Sequence, residues 1–471
     1  MTLTLLVNCS YLAASVLFIL GLRSLAVPDH ARRGMNQAAL GMLLAIVGTL
    51  MKHEIVRYDW IIAGLAVGAA IGYPLGMYVP MTAMPQRIAI SHLFGALAAT
   101  LVGIAEYQLS LHGIGEHGLN SARMAALGFE VLFGALTVSG SFMAFAKLQE
   151  LVSGRPITYP GQNAMNLSLF AGMVGLLVWL IIDPTQSVLL YVMAGLSFSF
   201  GILLVLPIGG ADMPVVISLM NSYAGLACSA TGFAIGNEIL IIAGALDGAS
   251  GFILSIVMSK AMNRSFRNVL FGAFGTVQTG GPAKTSEGLT VRSVSMEDAA
   301  LQLTSARKVI VIPGYGMAVA QAQHDLRELG ELIERAGGTV EYAIHPVAGR
   351  MPGHMNVLLA EAKVPYDKLK DMDDINDEFA NADVALVIGA NDVVNPAARN
   401  DQSSPIYGMP ILNADHARSV IVMKRGMNRG FAGIENELFY HQRTAMLFGD
   451  AKNTLVALVQ HIKSQGVAAA A

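Results

Sequence analysis

The sequence predicts a polytopic α-helical membrane domain of about nine spans, followed by a soluble α/β domain on a doubly wound parallel sheet. Three observations carry that prediction. Of the 471 residues, 54% are hydrophobic and only 13% are charged, against roughly 25% charged in ordinary soluble domains. The charges are also uneven: residues 1–270 hold 23 of the 63 Asp, Glu, Lys and Arg residues, leaving 40 for residues 271–471. Finally, short apolar runs alternate with amphipathic stretches after residue 305, the pattern of strands separated by crossover helices. The expected domains are a membrane domain at 1–262, a linker at 263–304 and a soluble domain at 305–471.

About 20 apolar residues are needed to cross a bilayer as a helix. Suitable runs occur near 3–24, 36–51, 59–79, 86–107, 124–147, 165–182, 186–207, 214–235 and 238–259. The second is short and interrupted by glycine, so the count is eight or nine. With nine, the termini lie on opposite sides. The span ends on the C-terminal side then hold Arg23, Arg32, Arg33, Arg87, Lys147, Arg155, Lys260, Arg264 and Arg267, and the other side only Lys52, Arg57 and Arg123. Nine cations against three place the soluble domain in the cytoplasm. The opening "MTLTLLVNCSYLAASVLFILGL" has no basic leader and reads as a retained first span.

Net charge is −3 and no basic patch stands out, so no nucleic-acid partner is expected. The two cysteines, Cys9 and Cys228, lie in apolar runs, which excludes a disulfide framework.

Residues 276–304 lose apolar periodicity and read as linker, flexible at its start and helical by "SMEDAALQLT", where Ser295 and Asp298 suit a helix N-terminus. Then "KVIVIPG" is a buried strand and "AVAQAQHDLRELGELIERAG" a helix ending at Gly337-Gly338. "TVEYAIHP" is a strand, "PGHMNVLLAEAKV" a helix, and "ADVALVIGA" and "SVIVMKRG" are further strands.

The stretch "VIVIPGYGMAVAQAQHDL" runs strand, glycine turn, helix, which suits close backbone approach to a pyrophosphate at a helix N-terminus. It makes the soluble domain Rossmann-like. A ligand-free tight turn would look the same. Dinucleotide sites for NAD usually end the second strand on an acid that grips the ribose; here that strand ends on His345 and Pro346. Cations stand nearby instead, at Arg350 and at Lys424, Arg425 and Arg429. A 2′-phosphate wants such donors, so NADP(H) fits better. Each cation alone could equally be a solvated surface charge, but Lys424-Arg425 follows a buried strand, whose end points into the ligand crevice. Asn391 and Asp392 end another strand, either at the crevice lip or in an ordinary turn. No metal spacing, P-loop or serine–histidine–acid set can be assembled. Hydride passed directly between two nicotinamides needs only positioning and exclusion of water.

Ionisable residues inside spans are functional candidates. His92 lies about a turn and a half into its helix and is the natural proton carrier, unless it is a packing histidine. Asn221 is similarly embedded, Asp212 precedes its helix, and Glu106, Glu130 and Asp247 lie near or within apolar runs. Gly244 and Gly248 read as close helix packing.

The segments "GGADMPVVISLMNSYAG", "SKAMNRS", "VIPGYGMAVAQAQ", "HPVAGRMPGHMNVLLAEAKVPYD", "GANDVVNPAA" and "GDAK" together resemble the β subunit of the proton-translocating nicotinamide nucleotide transhydrogenases. The likeness covers most of the chain, is strongest in the last 180 residues and is looser over the first 85 and the linker. It implies that NADP(H) binds here, inverted across the sheet, with NAD(H) as co-substrate on a separate α subunit. By motif it assigns nucleotide contacts to Gly314, Tyr315, Gly316, Val319 and Ala320, to Gly349, Arg350, Met351 and Pro352, to Gly389, Ala390, Asn391 and Asp392, to Gly430, and to Asp450 and Ala451. Lys424 and Arg425 match the pair that takes the 2′-phosphate, while Phe431 stands where the family has a tyrosine, so that hydroxyl contact is lost. His92 matches the essential membrane histidine and Asn221 its polar asparagine. Asp212 and Arg264 match positions near the cytoplasmic face that would couple the channel to the nucleotide domain, and Asp392 is expected to be both a catalytic and a nucleotide-binding residue. Asp247 has no family position to match.

The expectation is hydride transfer from NADH to NADP+ coupled to inward proton movement, in a bacterial inner membrane, by a dimer of αβ units. The alternative is a channel or transporter gated by a cytoplasmic nucleotide domain. Pro313-Gly314-Tyr315-Gly316 does contain the glycine-tyrosine-glycine of potassium filters, but no span follows it. A membrane-anchored oxidoreductase without transport would not require nine spans.

Overall fold

The computed structural model describes residues 2–27, 30–51, 58–79, 83–113, 118–153, 157–209, 212–261, 290–349, 353–402, 404, 406–430 and 432–464. The expectations placed on Lys52, Arg57, Arg155, Arg264, Arg267, Arg350, Met351, Pro352 and Phe431 lie outside these residues, as does most of the expected linker. The described residues fall into two compact units.

The first unit is helical throughout: α1 (Thr2–Leu25), α2 (Ala31–Leu50), α3 (Asp59–Met77), α4 (Met84–Leu111), α5 (Ser121–Leu148), α6 (Gln162–Ile182), α7 (Ser187–Val205), α8 (Met213–Ile235) and α9 (Glu238–Ala261). Eight of the nine are long and apolar enough to cross a bilayer. The remaining one, α2, carries Arg32, Arg33, Asn36 and Gln37 in its first two turns. Local chemistry sets the ends. Asn120 caps α5 by accepting from the Arg123 N–H, Pro85 and Pro214 sit in the first turns of α4 and α8, and Gly236 ends α8 in the left-handed conformation.

The span windows of α5 and α8 are the most buried, at 78% and 72%, so these two helices form the centre, with α4 and α7 packed on them. Packing at α8 against α9 is by glycine. A Cβ on Gly225 would lie 2.8 Å from the Gly248 Cα, one on Gly244 2.7 Å from the Gly225 carbonyl, and one on Gly251 2.8 Å from the Ser222 N–H. Backbones this close let short hydroxyls bridge the helices: Ser222 donates to the Gly248 carbonyl at 2.8 Å and Ser218 to that of Gly251 at 3.0 Å. The sequence expectation for Gly244 and Gly248 holds.

The second unit contains α10 (Met296–Ser305), β1 (Lys308–Pro313), α11 (Tyr315–Ala320), α12 (Gln323–Arg335), β2 (Thr339–Ile344), α13 (His354–Glu361), β3 (Leu369–Asp371), β4 (Val384–Ile388), β5 (Ser419–Lys424), β6 (Thr444–Phe448) and α14 (Ala451–Ser464). Ser295 caps α10 by accepting from the Asp298 N–H at 3.1 Å, as its sequence suggests. The six strands are all parallel, in the order β3-β2-β1-β4-β5-β6. Their near-continuous apolar runs follow from burial on both faces: β4 is buried at every position. The order in which strands are added reverses between β1 and β4, and a ligand crevice opens at such a switch point.

Two sequence expectations are corrected. The stretch after β1 is two helices: Gln321 takes a left-handed backbone (φ 51°) and Ala322 turns back to the Met317 carbonyl at 3.2 Å. Strands β3 and β6 extend the sheet beyond the four that the sequence suggests.

Candidate functional site

At the switch point the loops leaving β1 and β4 meet backbone to backbone. The Gly314 N–H donates to the Ile388 carbonyl at 2.8 Å and the Gly316 N–H to the Gly389 carbonyl at 2.9 Å. A Cβ on Gly314 would stand 2.5 Å from the Ala390 Cα, and one on Gly316 2.7 Å from the Gly389 Cα. Gly389 has φ +63° and a Cβ there would lie 2.5 Å from the Gly316 Cα. The fingerprint glycines are thus required by the fit of one loop against the other, which leaves bare backbone as the crevice floor. Val319 is exposed, and Tyr315 and Ala320 are half-buried beside that floor. The third lobe follows β2: Gly349 has φ +112°, and a Cβ there would stand 2.6 Å from the His354 Cβ.

The β5 end supplies the charge. Lys424 is half-buried, its ammonium donates to the Asn428 carbonyl, and it lies 4.9 Å from the centroid of the Phe439 ring. Burial lowers its pKa, and the charge of Asp392 opposes that shift. Asn391, with its amide oxygen turned inward, accepts from the Gly430 N–H at 2.8 Å and from Lys424 at 3.2 Å. Asp392 accepts from the Ala432 N–H at 2.8 Å, and the bare Gly430 leaves room for its carboxylate. The loop after β5 is therefore folded over the end of β4. Arg425 is exposed beside it. Asp450 accepts from the N–H groups of Lys452 and Asn453 at 3.1 and 3.3 Å, so it caps α14, whose first residue is Ala451.

Sequence reasoning missed Asn436, which donates to the Asn391 carbonyl at 2.9 Å and so fixes the β4 loop. Nothing local marks it; it lies 45 residues away. His345, standing where a ribose-gripping acid would be, is a structural residue. It is buried, bonds the Pro410 carbonyl through Nε2 at 2.8 Å and accepts from the Val347 N–H at 3.2 Å. Burial pulls its pKa down to about 4, opposed by the Pro410 bond.

The membrane unit brings His92 of α4 and Asn221 of α8 within hydrogen-bonding reach. His92 Nδ1 is buried without a partner. Asn221 in turn donates to the Asp247 carboxylate of α9 at 3.1 Å. A ring, an amide and a carboxylate from three helices are thus brought together through Asn221. Asp212 stands at the N-terminus of α8, but its side chain does not cap it; its carbonyl accepts the N–H groups of Val215 and Val216 at 3.1 and 3.3 Å.

Comparison with known proteins agrees with this combination of a helical membrane unit and a parallel-sheet α/β unit. The model of the NAD(P) transhydrogenase beta subunit family matches residues 7–461. Two curated proteins from Rhodospirillum rubrum, each called NAD(P) transhydrogenase subunit beta, are 50% identical over 460 residues, covering 97% of this chain and 98% of theirs. The chain belongs to the NAD(P) transhydrogenase beta subunit family.

Proposed function

We propose that this chain binds NADP(H) at the switch-point crevice and accepts hydride there from NADH held on an α subunit, coupled to inward proton movement. The observation that carries the nucleotide assignment is the floor of bare backbone where the loops after β1 and β4 meet, flanked by Lys424 and Arg425. The bare floor lets a pyrophosphate approach the backbone closely, and the two cations supply the donors a 2′-phosphate needs. The residues do two further things in this reading. The Asn391–Asn436–Gly430 contacts hold the loop after β5 over the β4 end, which excludes water when the nucleotide is bound. The His92–Asn221–Asp247 line takes up and releases the transported proton.

Coupling requires two states of the nucleotide domain, open for exchange and closed for transfer, biased by protonation near His92. The test is to co-reconstitute the chain with an α subunit in sealed vesicles and follow internal pH against NADPH formation. His92→Ala is expected to abolish NADPH formation coupled to proton movement while NADPH still binds. Normal proton movement in that variant would remove His92 from the path. A nucleotide-gated channel would instead show ion flux without net hydride transfer.

A further inference from the structure

A carboxylate more fully buried than His92 lies in the same bundle and has no place in the scheme above. Glu130 of α5 is 0% exposed, and neither of its carboxylate oxygens makes a hydrogen bond of good geometry. The nearest polar groups are the Thr231 hydroxyl of α8 and the Gly103 backbone of α4. Thr231 already gives its proton to the Ala227 carbonyl at 3.0 Å, so toward Glu130 it offers only an acceptor. Position 103 is shaped around the acid: a Cβ on Gly103 would lie 2.9 Å from the Glu130 carboxyl carbon.

The other acid of this region is already paired. Glu106 of α4 pairs with Arg123 of α5, which also donates through Nε to the Ala234 carbonyl at 3.0 Å. Among the described residues no cation pairs with Glu130. An uncompensated carboxylate sealed among helices takes a proton rather than standing charged, and a protonated acid is the form that could donate to the waiting Thr231 oxygen.

We propose, resting on the transhydrogenase reading above, that Glu130 is a second proton-binding station in series with His92. Its place follows from the helices that join them. Gly103 lies eleven residues beyond His92 on α4, and Thr231 ten beyond Asn221 on α8, about 15–16 Å along each axis at the helical rise. Both separations agree, so the two stations sit at two levels of one interface, with buried Thr100 between them on α4. The step is the making and breaking of one O–H bond on Glu130, without redox change. The Glu106–Arg123 pair fixes the local charge while the proton comes and goes.

The test uses the α–β complex in sealed vesicles, with Glu130→Gln and Glu130→Asp. Gln keeps the volume and a donor for Thr231, so a packing role survives it. A proton station is expected to lose at least about a hundredfold of NADPH-linked proton movement, the lower end for a positioned acid–base group, while NADPH binding is unchanged. Asp is expected to restore a measurable part. Difference infrared spectra should lose one protonated carboxyl band in Glu130→Gln. Wild-type rates in Glu130→Gln, or a carboxyl spectrum identical to wild type, overturn the proposal. If wild-type vesicles show no NADPH-linked pH change, the transhydrogenase reading fails on its own, and the infrared comparison still decides whether Glu130 holds a proton.

Discussion

Lys424 and Arg425 are neighbours in sequence with different tasks. Lys424 is half-buried and already engaged with the Asn428 carbonyl, so its charge also holds its own loop. Arg425 is exposed, and its planar fork suits a phosphate. Removing a charge-assisted hydrogen bond costs roughly 1.5–3 kcal/mol. Arg425→Ala should therefore weaken NADPH about tenfold to a hundredfold, as seen by calorimetric titration, and leave NADH binding where it was. Equal weakening of both would remove the 2′-phosphate role. His345 gives the second residue-scale prediction. Its folded pKa of about 4 lies below the ordinary histidine value near 6.5. Between those values the unfolded chain binds a proton that the folded one refuses, so stability rises with pH across that window. The contribution is fully present above pH about 6.5 and is lost as pH falls toward 4, a change of roughly 3 kcal/mol. His345→Gln should flatten that part of the pH dependence of nucleotide-domain unfolding in the detergent-solubilised chain. An unchanged slope would assign it to other groups.

At the scale of elements, the two units use glycine in the same way, to bring backbones together. Gly389→Ala would place a methyl against the Gly316 Cα and demand a left-handed alanine. A left-handed non-glycine residue alone costs of order 1–3 kcal/mol. The substitution should lower the unfolding temperature of the nucleotide domain and abolish NADPH binding, whereas Gly337→Ala, also left-handed but just before β2, at the opposite end of that strand from the crevice, should lower stability while binding persists. Loss of binding in both would mean that stability, not the crevice, is being read. This unit was largely legible in advance because β1, β2, β4 and β5 are apolar runs ended by turn residues, and their alternation with helices dictates parallel pairing. The break at Gln321 was not legible, since alanine and glutamine favour helix and only tertiary closure onto Met317 overrides them. Strand β3 is three residues long and β6 five, too short for periodicity to register. In the membrane unit His92, Asn221, Glu130 and Asp247 could all be picked out as polar residues in apolar runs. Their pairing could not, because it depends on which helix faces which, and the glycine contact of α8 with α9 decides that only in three dimensions.

At the scale of the whole molecule, the charge asymmetry that divides the sequence also governs how the chain threads the bilayer, and α2 is the element on which that threading turns. Hydropathy alone admits eight crossings, which would leave both termini on one side. Packing favours a ninth. A Cβ on Gly34 would lie 2.8 Å from the Gly21 carbonyl, one on Gly41 3.2 Å from that of Ala14, and the Tyr11 hydroxyl meets Thr49 at 2.9 Å. The contacts run from Leu25 at the end of α1 back to Tyr11, so α2 retraces more than half of the length that α1 crosses. Its polar first turns sit level with the end of α1, where Ser24 donates to Gln37 at 2.9 Å, the depth at which a polar interface would lie. At 20 residues, α2 is about 30 Å long, the thickness of the hydrocarbon core. Reporter fusions at the two termini should therefore signal from opposite faces, with the C-terminal one in the cytoplasm as the excess of Lys and Arg on that side requires. Signals from the same face would make α2 a surface helix and reverse the assignment of Arg23, Arg32 and Arg33. A periplasmic C-terminus would put the proposed NADP(H) site out of reach of cytoplasmic nucleotides and end the proposed direction of coupling.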